Sequence, residues 1–188
     1  MIWESGPWKN DLLSYHSKMI EYSSSNYFQN DDDDSDEAYS ILEKSIFYSA
    51  FVIRKLVDCK TKLSDDADSY ALNVEIFESK RNFDNLHRWT SENSHNWESS
   101  IRQIKQGKNI CNWLIHSLIF ELTFNEDQSV EGFCVSSDFD SDKCLYHVSL
   151  NDWLSYIDFI SSDDISELHA VKTEKGIKYK KGRNKNLY

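Results

Sequence analysis

DEAYSILEKSIFYSAFVIRKLVDCKTK, residues 36–62, is the longest helical pattern in the chain. Tyr39, Leu42, Ile46, Ser49, Ile53 and Val57 recur every three or four residues, and Phe47, Ala50 and Phe51 widen that seam. One face of a helix repeats at this interval, and neither Gly nor Pro interrupts it. The stretch predicts a long central helix from Asp36 to Lys62, with Arg54 and Lys55 beside the seam and an acidic loop, residues 65–68, closing it.

Upstream, Trp8, Leu12, Tyr15, Met19 and Tyr22 form a second helical stripe, preceded by Pro7, which suits a first helical turn. Ser23 to Ser25 and the run Asp31 to Asp34 read as a linker whose negative charge favours a following helix N-terminus. The run lacks the Gly and terminal Glu of a calcium-binding EF-hand loop. Downstream, residues 72–77 read as a short strand and 82–99 as a loop or short helix. A third helix is expected from Ser99 to Phe120, with Ile101, Ile104, Lys108, Cys111, Ile115 and Leu118 on its inner face and Gly107 as a soft spot. The period then shortens. Residues 122–124, 132–136 and 144–149 read as three strands joined by polar turns, and a last helix over 151–160 takes Asn151 or Asp152 as its cap. The expected class is α+β and mainly helical: an antiparallel helical bundle with a three-stranded antiparallel sheet before the last helix.

The 188 residues carry a formal net charge of −11, unevenly spread. From residue 171 onward six lysines and Arg183 face one glutamate, so this end holds +6 and residues 1–170 hold −17. The expected organisation is one globular domain over 1–170 and a basic, flexible tail over 171–188. A body this acidic repels a phosphate backbone, which confines any RNA contact to the tail or to a local cleft. Cys59, Cys111, Cys134 and Cys144 are dispersed, with no close pair to hold zinc, and read as reduced structural thiols. No signal peptide and no membrane span are visible, so a cytoplasmic protein is expected.

Asn112 and His116 lie four apart on the most apolar helix. At that spacing both side chains leave one face, where an imidazole acts as general acid or base and an amide orients it or its substrate. A packed histidine satisfied by its neighbours has the same sequence signature. Long antiparallel helices with a late Asn, three residues, then His resemble the HEPN superfamily, whose active members are dimeric, metal-independent ribonucleases of defence and toxin systems. The resemblance covers Asn112 and His116. Where the family motif begins with Arg, this chain has Cys111, which cannot clamp a phosphate. A substitute cation would have to come from Arg54, the favoured choice, or from Lys55, Arg102 or Lys108.

His87, Arg88 and Trp89 form a polar–aromatic cluster suited to a nucleotide or a peptide, or to packing under a loop. Asp138, Asp140 and Asp142 alternate as metal ligands do, yet a hairpin turn explains them. No phosphate-binding Gly loop occurs, and no cofactor or metal is expected. The composition therefore favours a non-catalytic protein-binding or regulatory module, antitoxin-like or accessory, with a basic protein partner or a second copy. The alternative is a HEPN-like ribonuclease with His116 as acid/base.

Overall fold

The computed structural model describes residues 2–29, 33–174 and 176–183. The first stripe forms α1 (Gly6–Tyr22), with Leu12 and Met19 fully buried. The long seam forms α2 (Asp33–Asp58), burying Leu42, Ile46, Ser49 and Ile53, while Phe51 on its margin stays exposed. Of the acidic run, Asp33 and Asp34 lie in the first turn of α2, where carboxylates oppose the helix dipole; Asp31 and Asp32 lie outside the described residues. A short α3 (Asp65–Ser69) takes the place of the acidic loop.

The five-stranded antiparallel sheet is larger than the three strands expected. Its strands are β1 (Ala71–Glu78), β2 (Ile101–Gln106), β3 (Ser117–Phe124), β4 (Val130–Ser137) and β5 (Cys144–Ser149), in the order β2-β1-β5-β4-β3. The helix expected over residues 99–120 is therefore corrected to strand, short helix and strand. Residues 101–106 pair with β1, from Ala71 opposite Gln106 to Ile76 opposite Ile101, and the two isoleucines assigned to an inner helical face are 60% and 72% exposed. Helix begins only at α4 (Gly107–Ile115). Gly107 is the switch: its N–H bonds the Tyr70 carbonyl at 2.9 Å, and a Cβ there would lie 2.2 Å from Cζ of the buried Tyr156 ring. Glycine alone allows that approach.

Alternation gives the sheet two different faces. Leu72, Val74, Phe133, Val135, Tyr146 and Val148 point into the main core with the helices. On the opposite face Ile119, Cys134 and Leu145 meet Phe83, with Phe77 and Trp97 packed alongside, under the segment 79–100. The last helix, α5 (Leu150–Ser162), is capped by Ser149, whose Oγ accepts from the Asp152 N–H at 3.1 Å, rather than by Asn151 or Asp152. Trp113 of α4 stacks on Tyr146 with centroids 3.6 Å apart, fixing that helix to the sheet.

Residues 165–183, instead of trailing as a basic tail, form a two-stranded antiparallel hairpin, β6 (Ile165–Thr173) and β7 (Gly176–Arg183). Lys181 anchors it: the side chain is buried, with Nζ 3.1 Å from Asp68 and 3.6 Å from Asp65 of α3. Lys175 and residues 184–188 lie outside the described residues. Among the described residues no helix is long and apolar enough to cross a membrane, and the four cysteines are free thiols.

Candidate functional site

The seam of α2 brings Arg54 against α4. Its Nε donates to Asn112 Oδ1 at 2.8 Å, while Nη1 pairs with Asp58 one turn on. A guanidinium thus sits beside the Asn of the motif although the motif's own first position is Cys111. That position is core: Cys111 is fully buried, and burial raises its thiol pKa against the opposing pull of Arg54. A charged side chain at 111 would have no solvent and no room.

His116 does not continue the helix. α4 ends at Ile115, and His116 takes φ −110° and ψ 26° as the C-cap. Its N–H bonds the Asn112 carbonyl and its own carbonyl accepts from the Asp138 N–H, both at 3.0 Å, so the backbone is held from both sides. The residue is exposed, and among the described residues its ring has no hydrogen-bond or ion-pair partner.

Directly after His116 the chain runs into β3, a sheet edge, and here a second predicted cluster arrives. Arg88 and Trp89 sit with Glu43, Phe47, Ser117 and Phe120 around a cavity of about 150 Å³. Their segment is pinned. Arg81 donates to the carbonyls of His87 and Trp89 at 3.2 and 2.6 Å, and the Thr90 N–H and hydroxyl both bond the Glu121 carboxylate. Trp89 remains 64% exposed, with the Arg88 guanidinium 5.3 Å from its ring centre. His87 is turned toward Asp84, 3.1 Å away, and that hydrogen bond holds the Asp84 carboxyl below its ordinary pKa.

The other candidate residues are dispersed. Lys55 lies over Phe51 on the solvent side of α2. Lys108 is in the first turn of α4, at the opposite end from His116. Arg102 is on β2, the far edge of the sheet, 2.8 Å from Glu75. There it borders a trough of about 460 Å³ with Asn73, Glu131, His147, Ser149 and Asp152, a grouping invisible in the sequence because five elements contribute to it. The His147 ring lies 2.9 Å from the Thr123 hydroxyl. Asp140 and Asp142 serve the 138–143 turn and its neighbours: Asp142 accepts from the Phe83 N–H, and Asp140 faces Lys143.

Beneath the pinned segment, His95 is fully buried, stacked on Phe83, with Nδ1 2.9 Å from Ser94 Oγ. Burial, with the Arg81 charge second, pushes its pKa down to about 4. The folded protein therefore holds a neutral ring, whereas an unfolded histidine titrates near pH 6.5. Above that pH the group adds no pH dependence. As pH falls from about 6.5 to about 4 the unfolded chain binds a proton the folded chain refuses, and stability drops by roughly 2–3 kcal/mol. Urea unfolding of wild type and His95→Phe across this window checks the claim: the variant loses this part of the slope, and parallel curves would sink it.

Comparison with protein-family models, with curated proteins and with solved structures finds no match to this chain.

Proposed function

We propose that the chain is a non-catalytic protein-binding or regulatory module, an accessory or antitoxin-like component of a prokaryotic defence or toxin system, whose contact surface is the β3 edge around Trp89. The observation that carries this reading is an exposed tryptophan, with an arginine over it, on a segment whose backbone is already fixed by Arg81 and Glu121. Such a side chain loses little conformational entropy on docking, and Trp and Arg are the residue types that anchor interfaces. The exposed Phe51 and Ile115 add apolar surface on α2 and α4. The charge of −17 over residues 1–170 favours encounter with a basic protein.

Quantitative affinity capture from the source cell with wild type and with Trp89→Ala/Arg88→Ala tests this. One protein should be retained by wild type and depleted about tenfold by the variant, an effect of hot-spot size. Equal retention, or no specific protein retained, refutes the surface.

A metal-independent ribonuclease is the second reading, supported by the Arg54–Asn112 bond, which supplies a cation beside the motif, and by the exposure of His116. In that reading His116 moves the proton, Arg54 stabilises charge on phosphate and two copies assemble one site. Cleavage of RNA in the presence of chelator, abolished by His116→Ala, would displace the binding reading.

A further inference from the structure

Where the end of α2 meets β7, rings and lysines gather on an otherwise acidic body. Trp3, Asp58, Lys60, Thr61, Lys62 and Tyr179 line a cavity of about 490 Å³. Lys60 and Tyr179 also border an adjoining cavity of about 240 Å³, together with Lys178, Lys181, Asp65 and Asp68. Trp3 is 88% exposed and Tyr179 37%, so both rings are open to a ligand.

Cations outnumber acids here: Lys60, Lys62, Lys178, Lys181 and Arg54 carry five positive charges against three on Asp58, Asp65 and Asp68. Asp58 pairs with Arg54, and Asp65 and Asp68 pair with the buried Lys181. Lys62 donates to the Trp3 carbonyl at 2.7 Å, which positions the ring-bearing segment and leaves the ammonium charge unneutralised. The Lys60 and Lys178 ammonium groups have no hydrogen-bond or ion-pair partner among the described residues.

We propose that this groove binds a nucleotide unit, its base against Trp3 or Tyr179 and its phosphate held by Lys60, Lys62 and Lys178. Aromatic faces stack on any base, and lysines track phosphate without sequence preference. The volume suits a small ligand rather than a duplex. The −17 charge of residues 1–170 disfavours a long phosphate backbone crossing the rest of the surface. The ligand is therefore one nucleotide, free or at the end of a single strand. Composition alone pointed to the basic end of the chain; the fold adds the rings and the α2 lysines that turn charge into a site.

The test titrates the full chain with 5′-AMP, with a 5′-phosphorylated single-stranded hexanucleotide RNA and with a short RNA duplex, following binding by protein NMR shifts. Saturable binding of AMP or of the hexanucleotide is expected, weakened about tenfold by Tyr179→Ala and by Lys60→Gln/Lys178→Gln, and largely retained by Tyr179→Phe. Binding should also weaken with salt. AMP and the hexanucleotide binding alike identifies a free nucleotide as sufficient; the hexanucleotide binding much more tightly identifies a strand end. Lys60 is exposed, so Lys60→Gln alone reports even if a strand variant unfolds. Absence of saturable binding by both probes at millimolar concentration, affinities unchanged in the lysine variants, or duplex binding as tight as single strand each overturns the proposal.

Discussion

Trp153→Ala is expected to lower the unfolding free energy by about 3–5 kcal/mol, the cost of deleting a large buried aromatic and leaving a cavity. Trp153 is fully buried on α5, edge-on to Phe133 of the sheet and to Tyr156, with ring centres 5.8 Å away in each case. Its Nε1 donates to Ser49 Oγ of α2 at 3.2 Å. One side chain therefore joins the sheet, the last helix and the long helix. Substitution by Phe keeps most of the apolar volume and loses the hydrogen bond, so Trp153→Phe should cost less than half as much. Urea unfolding of the three proteins decides it; a loss of about 1 kcal/mol or less for Ala would show that the site collapses around the missing ring.

Asp163→Ala is the second large effect, also about 3–5 kcal/mol, as for removing one partner from a buried charged network. Asp163 is fully buried at the C-cap of α5. One carboxylate oxygen accepts from the Ser64 N–H at 2.6 Å and the other from the Ser64 hydroxyl at 2.7 Å, ahead of α3. Its own carbonyl accepts from the buried Lys9 ammonium of α1, and Arg183 of the hairpin approaches the carboxylate at 3.9 Å. Deleting the carboxylate strands a buried N–H and a buried hydroxyl. Asp163→Asn still offers one acceptor to the N–H and a donor to the hydroxyl, so it should recover roughly half of the loss, since hydrogen bonds to a charged group are worth about 1.5–3 kcal/mol and neutral ones about 1 kcal/mol. Thermal unfolding of both variants measures this, and equal stability of Ala and wild type would refute the network's role.

The candidate site was legible in pieces. Periodicity placed Arg54 beside the seam of α2, and its proximity to Asn112 was one of four options until α2 and α4 packed. Arg88 and Trp89 were recognisable as a cluster, yet their position next to Ser117 depends on Glu121, 31 residues from the Thr90 it holds. The buried Lys181 could not be told from its exposed neighbours by charge, because burial requires the Asp65 and Asp68 carboxylates that only the fold supplies.

The long pattern at 36–62 determined its helix except for its end, which falls at Asp58 and not Lys62, because a 26-residue element with an unbroken apolar stripe has one conformation that buries it. Composition determined the acidic body and basic end, and apolar runs between polar turns marked β4 and β5. Tertiary structure decided residues 99–120. Ile101 and Ile104 are three apart, a spacing that suits a helix, but the edge of β1 offers backbone N–H and C=O groups that a strand satisfies. Gly107 then lets the chain turn into α4 under the Tyr156 ring, a contact made by residues 49 positions apart. Local pattern carries no record of such a contact, and it is this contact that leaves His116 at a helix end beside a sheet edge.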